Sequence, residues 1–201
     1  MSHFVALSLL LLSAAPAYQA ATVTDASSPM TAKFLELFDR LRTAEQKSAE
    51  MGRHHLVTFL LSESDVNEYL RDSLKATPRP GLESLTVKVS TKDYVATTAK
   101  VDFDALERWR PGTIPAALRP VLKGKKSISI DFRFHAENSM LTFTVEKARY
   151  EATPLPAVLV EKIIQIVAAQ QPEKYDTSKP LPLPFGLRKI WTSEQTFQGH
   201  N

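Results

Sequence analysis

The side chains that could carry chemistry are few and scattered. The chain has five histidines and no cysteine, which removes disulfides, thiol nucleophiles and cysteine-ligated zinc together. His54 and His55 are adjacent. On a strand they would point to opposite faces, and on a helix they would diverge by about a quarter turn, so joint metal ligation is awkward. His135 falls at the end of an alternating segment and His200 near the C-terminus. No His-x-x-x-His, Gly-x-Ser-x-Gly, phosphate-cradling glycine loop or paired aspartate motif occurs. Six glycines in 201 residues also disfavour the close backbone approaches that oxyanion and phosphate sites use. The expectation is a protein that is not an enzyme and takes no cofactor.

What remains is chemistry by apolar surface. Pro154-Leu155-Pro156 opens the most apolar helical stretch, Val158 to Ala169, in which Leu159, Val160, Ile163, Ile164, Ile166 and Val167 cover most of the circumference. A helix apolar on so many sides is buried on so many sides. It is either plain core or the wall of a groove. Leu159, Ile163, Ile164 and Val167 are therefore the candidate ligand contacts, together with Phe132 and Phe143 from the sheet it faces. Lys123, Lys125 and Lys126 flank Gly124 just before a strand. They form either a solvated turn or a contact with phospholipid headgroups, where each basic residue is worth only about 1 kcal/mol. A net charge of +3 supports a weak preference for anionic surfaces, and with export it argues against a nucleic-acid partner.

The elements that must position these residues follow from periodicity. Residues 22–30, rich in Ala, Ser and Thr, read as a flexible lead-in. Phe34, Leu37, Phe38 and Leu41 recur at helical spacing, predicting a helix of about five turns that ends near Gly52. Leu56 to Leu61 is short, apolar and partly β-branched, as strands are. Ser62-Glu63-Ser64-Asp65 has the Ser-x-x-Asp/Glu arrangement that satisfies free amides at a helix start. Val66, Tyr69, Leu70 and Leu74 then give that helix its apolar stripe, and Pro78 and Pro80 stop it. Asn67 sits within it, where a specific structural hydrogen bond is expected rather than ligand contact.

From Leu85 the period changes to two. Leu85, Val87 and Val89 alternate with polar neighbours, as do Val95, Thr97, Ala99, Val101 and Phe103, and the short Ser90 to Asp93 connection makes them a hairpin. Ile128, Ile130, Phe132 and Phe134 pair likewise with Leu141, Phe143 and Val145 across a turn at Glu137-Asn138-Ser139. Ala148 and Tyr150 resume the alternation one residue out of phase, which predicts a bulge near Glu146-Lys147. Between the hairpins, Asp104 to Lys126 reads as a short helix and a cover segment. Leu187 to Phe197 reads as a closing strand or hairpin. The fold class is α+β, with an antiparallel, strongly curled sheet of hairpins wrapped around a long apolar helix.

The residues of the second helix start carry a resemblance. Ser62-Glu63-Ser64-Asp65-Val66-Asn67-Glu68-Tyr69-Leu70 resembles the motif Ser/Thr-Glu-x-Glu/Asp-Leu/Val-Asn-x-Tyr/Leu-Leu of bacterial envelope proteins with a tubular lipid-binding, BPI-like fold. Pro182 to Leu187 resembles the segment that leads into their last strand. The resemblance runs over roughly Leu56 to Phe197. It implies an elongated sheet curled around a long helix, with an apolar groove for acyl chains. The segment Glu107 to Lys126 departs from the simplest pattern at the groove mouth by being long and proline-containing.

The N-terminus sets the expected compartment. Phe4 to Ala15 is almost wholly apolar and carries no Asp, Glu, Lys or Arg, and it is shorter than the about 20 residues a membrane span needs. It ends in Ala15-Pro16-Ala17, whose small residues suit a signal peptidase, although Met1-Ser2-His3 lacks the usual basic residue. The expectation is a signal peptide over residues 1–17, a lead-in over 18–30 and one soluble domain over 31–201, periplasmic or secreted. That domain would be a binding or carrier protein for an apolar ligand such as a lipid, or an envelope structural or interaction domain with a fully packed core. N-terminal sequencing of protein recovered from an envelope fraction should begin near Tyr18, and retention of Met1 would mean the apolar run is an uncleaved anchor.

Overall fold

The computed structural model describes residues 29–109, 111–112, 114, 119–120, 122–156 and 179–201. The predicted apolar helix, Val158 to Ala169, lies outside the described residues, and so does the apolar run before Ala15. Helix α1 spans Pro29–Met51. Pro29 and Met30, predicted as part of the lead-in, are already helical. Strand β1 is Thr58–Ser62 and helix α2 is Glu63–Ala76. Ser62 accepts from the Asp65 amide while Asp65 accepts from the Ser62 amide, so the predicted capping box is formed. The helix ends before Pro78, as expected.

The two hairpins follow. Strands β2 (Leu82–Val89) and β3 (Tyr94–Asp102) pair in register from Leu85↔Ala99 to Val89↔Val95. Phe103 leaves the strand to start the short helix α3, Phe103–Trp109, because Asp102 accepts from the Ala105 amide and turns the chain. Strands β4 (Lys125–Glu137) and β5 (Met140–Tyr150) pair with a register shift in which Asp131 faces Lys147 and Phe132 faces Val145. Glu146 is the extra residue, so the bulge falls where the slipped alternation put it. Strand β4 starts at Lys125, which places Lys125 and Lys126 in a strand rather than a turn. Short strands β6 (Thr153–Pro154) and β7 (Leu181–Pro182) add to β5. The closing segment is a hairpin, β8 (Lys189–Ser193) and β9 (Thr196–His200).

All nine described strands form one sheet in the order β1-β9-β8-β4-β3-β2, with β5 on the other side of β4. The fold is α+β, with three described helices and an antiparallel sheet curled into a half-barrel. One edge of β4 is shared, carrying β3 along Lys125 to Arg133 and then β8 at Ala136. A reciprocal pair closes that seam. The Asp93 amide donates to the Thr192 hydroxyl (2.8 Å), and the Thr192 amide donates to the Asp93 carboxylate (2.7 Å).

A single main core joins helices and sheet: Phe34, Leu37 and Leu41 of α1, Val66 and Leu70 of α2, and Val95, Phe132, Phe134 and Leu141 of the hairpins. Phe34 stacks on Tyr69 at 4.5 Å between centroids, and Phe38 meets Phe185 at 5.7 Å, so the Pro182 to Leu187 passage is held against α1. Gly199 is required by its neighbour across the ladder: a Cβ there would lie 2.6 Å from the Phe59 ring. Asn201 is almost fully buried because its amide accepts from the Val57 N–H (2.7 Å) and donates to the His55 carbonyl (3.0 Å), which extends the β1–β9 ladder.

The helix α2 seals the rim of the sheet at β2. The Ser90 amide donates to the Tyr94 carbonyl, which fixes the parity of the ladder and turns the backbone groups of Val87 and Val89 away from β3. Asn67 answers both groups of Val87, accepting from its N–H (2.7 Å) and donating to its carbonyl (2.8 Å). Glu63 accepts from the Val89 N–H (2.7 Å), and the Gln195 amide reaches the Val89 carbonyl (3.3 Å). Asn67 thus has the structural role expected of it. Asn67→Ala should cost about 1 to 3 kcal/mol, since it leaves two half-buried backbone groups unpaired. Asn67→Asp should not rescue it, because a carboxylate can replace the acceptor and not the donor. Urea unfolding of the three proteins checks both.

Asp65 links the two long helices through Lys33. Burial pushes the Asp65 carboxyl up, but the hydrogen bonds from Lys33 and from the Ser62 amide and hydroxyl outweigh it and hold the group below its ordinary value. A depressed carboxylate stabilises the fold fully above the unfolded value of about 4, and that contribution is lost as pH falls through the folded value. Asp65→Asn should therefore be less stable than the parent at neutral pH, with the difference narrowing below about pH 4. A pH series of thermal melts reads this directly.

Candidate functional site

The hairpin β4–β5 builds one apolar face from alternate residues. On β4 these are Ile128, Ile130, Phe132, Phe134 and Ala136; on β5 they are Leu141, Phe143, Val145 and, past the bulge, Ala148 and Tyr150. The bulge keeps both halves of β5 on the same face, which a regular strand with this sequence would not do. Phe132 and Phe143 lie on it as diagonal neighbours, since Phe132 faces Val145 and Phe134 faces Phe143.

Burial along this face is uneven. Phe132, Phe134, Ala136 and Leu141 are buried in the main core with the helices. Ile128, Ile130, Phe143 and Leu155 are half-buried and pack against that core, Tyr150 opposite Ile128 is buried in it, and a second buried pair, Val145 and Ala148, packs against Ile130, Phe143 and Leu155. The chain reverses at Glu151, and the Leu155 amide donates to the Ala148 carbonyl (2.8 Å), which brings Leu155 back beside β5. Of the six apolar candidates, the structure thus brings Phe132 and Phe143 together. Leu159, Ile163, Ile164 and Val167 lie outside the described residues.

The opposite face of the same strands is polar and internally paired. Tyr94 donates to Asp131 (2.9 Å), and its hydroxyl is pushed up in pKa by burial and by that carboxylate. Arg133 bonds Glu146 (2.8 Å) and the Lys92 carbonyl (2.7 Å) and lies over the Tyr94 ring. An apolar ligand has no purchase there, so the inner face is the candidate.

Glu107 of α3 binds described residues that follow the helix. Its carboxylate accepts from the amides of Gly112 (3.0 Å) and Ile114 (3.2 Å), which, with Arg119 at 3.0 Å, hold it below the ordinary carboxylate range. Ile114 is buried in the main core. The three lysines sit nearby in sequence but do not form one patch. Lys123 and Lys125 are exposed, Lys125 pairs with Glu83, and Lys126 is half-buried as the next residue of a strand, hence on the other face.

Among the described residues no group of three His, Asp or Glu side chains gathers to hold a metal. His54 and His55 diverge as expected. His54 bonds the Asn201 carbonyl (2.9 Å), while Nε2 of His55 is buried without a partner. An open groove of about 740 Å³ runs between α1 and residues 55–57, lined by both signs of charge, including Asp39, Arg40 and Lys47. It shares no described residue with the inner face.

No family model, curated protein or solved structure matches the chain. No described helix is long and apolar enough to cross a membrane. Periodicity places Phe132 and Phe143 on one face, as the structure does; Ile128, Ile130 and Leu155, which share that surface, were not among the candidates, although the out-of-phase Ala148 and Tyr150 were an available signal.

Proposed function

We propose that this is a binding or carrier protein of the bacterial envelope that shelters an apolar ligand, a lipid acyl chain, against the inner face of its curled sheet. The observation that supports it is the half-buried run of Ile128, Ile130, Phe143 and Leu155, contiguous with a packed core and backed by a polar outer face. The resemblance of residues 62–70 to tubular lipid-binding envelope proteins points the same way. Transfer of an acyl chain from water is worth about 0.8 kcal/mol per methylene. A dozen methylenes thus offer roughly 10 kcal/mol before ordering costs. Lys123 and Lys125, the exposed pair, would meet an anionic surface during loading.

A second reading, an envelope structural domain with a fully packed core, is favoured by the burial of Phe132, Phe134 and Leu141 among helix residues. One experiment separates the two. Organic extraction and mass spectrometry of protein from the envelope fraction should recover stoichiometric lipid, and delipidated protein should reload faster from anionic than from neutral vesicles. Ile130→Trp should cut the lipid recovered with little loss of stability, whereas Phe132→Trp, in the packed half, should cost about 1 to 3 kcal/mol through overpacking. No lipid, with equal destabilisation by both substitutions, would leave the packed-core domain.

A further inference from the structure

The sheet treats two of its edges, β2 and β1, differently. At β2 the outward backbone groups of Val87 and Val89 are taken up by Asn67, Glu63 and Gln195. At β1, the other end of the sheet order, no described strand follows. The bonds from the Asn201 amide to the Val57 carbonyl and from the Glu63 amide to the Gln195 carbonyl fix the parity of the β1–β9 ladder. Val57, Phe59 and Leu61 therefore spend their backbone groups on β9, and Leu56, Thr58 and Leu60 turn theirs outward. Among the described residues none of these three finds a backbone partner.

Their side chains are outward too. Leu56 is 65% and Leu60 53% exposed, and Thr58 between them is exposed. Residues 56–62 contain no charge, proline or glycine, so the edge lacks the devices by which sheet proteins discourage pairing. The sequence is also nearly palindromic about Thr58, reading Leu56-Val57-Thr58-Phe59-Leu60.

We propose that this edge is a self-association surface, at which β1 together with the two residues before it, Leu56 and Val57, pairs antiparallel with the same segment of a second copy about a two-fold axis through Thr58. A second copy is the occupant that the palindrome selects. The axis sets Leu56 of one copy opposite Leu60 of the other, twice, and Thr58 opposite its own equivalent. The outward parity makes these the hydrogen-bonded pairs, so the two sheets become continuous. Residues 56–60, which face one another across the axis, carry no charge. Such a contact is small beside the about 1,200 Å² of a standard interface, so the dimer is reversible and forms with rising concentration.

Sedimentation velocity and amide exchange on the full chain test this. The expected result is a monomer–dimer equilibrium in which the Thr58 and Leu60 amides gain protection as concentration rises, while those of Phe59 and Leu61 are protected throughout. Leu60→Lys should weaken the dimer by roughly tenfold, because the substitution is felt twice across the axis. Leu56→Lys combined with Leu60→Glu should restore it, since the register sets opposite charges face to face, and Leu56→Lys combined with Leu60→Lys should not. Circular dichroism should be unchanged in all three, both positions being more than half exposed. A monomer at every concentration, Thr58 and Leu60 amides protected independently of concentration, or equal behaviour of the two double variants would overturn the proposal; the second result would mean that the edge is covered by the chain itself or by a different protein's strand.

Discussion

A strand at the rim of a sheet must find partners for its outward N–H and C=O groups or leave them to water, and the way β2 meets this demand fixes much of the molecule. Asn67 supplies a donor and an acceptor to one residue, Val87, as a neighbouring strand would. Glu63, four residues earlier on α2, reaches Val89, two residues later on β2. The spacings agree, since four helical residues rise about 6 Å and two strand residues about 6.7 Å. The helix must therefore run antiparallel to the strand along the rim. With Asn67 and Glu63 turned to β2, Val66 and Leu70 are turned into the core. The capping box then starts the helix directly from β1, and Asp65, already bonded within the box, ties α1 to the rim through Lys33.

The curl of the sheet has separate causes. Glu146 lengthens β5 against β4 by one residue, and such a bulge bends a strand and increases its twist. The seam where β3 gives way to β8 along β4 is closed by Asp93 and Thr192, whose bonds join residues 99 apart in the chain. A sheet bent at one place and re-joined at another presents one concave apolar side. The two long helices fill the part of it they reach.

Local structure was legible because each element announces itself in neighbouring residues. The period of two gave both hairpins, the slipped phase of Ala148 and Tyr150 gave the bulge, and Ser62 with Asp65 gave the start of α2. Asn67 could be expected to bond backbone from its place in a helix. Its partner could not, because Val87 lies 20 residues on and is chosen by packing. The same limit hid the pairing of β1 with β9, whose partners Thr58 and His200 share no local signal, and the burial of Asn201. Phe132 and Phe143 were legible as one face. That Phe132 is buried while Phe143 is half-buried was not, since it depends on what packs over each from distant parts of the chain.

That unevenness carries the functional argument. Burying apolar surface is worth about 25 cal/mol per Å², so a fold that leaves Ile128, Ile130, Phe143 and Leu155 half-buried on an inner face forgoes stabilisation that the neighbouring Phe132 and Phe134 have secured. The polar outer face shows that this sequence can place charged and hydroxyl side chains on the same strands where water is the neighbour. On the inner side it keeps large apolar residues in strict alternation through Ile128 and Ile130. Such a surface suits a neighbour that is itself apolar, and the function proposed above gives it one. A ligand of the proposed kind would recover the forgone burial there, at a distance in the fold from the rim that Asn67 seals.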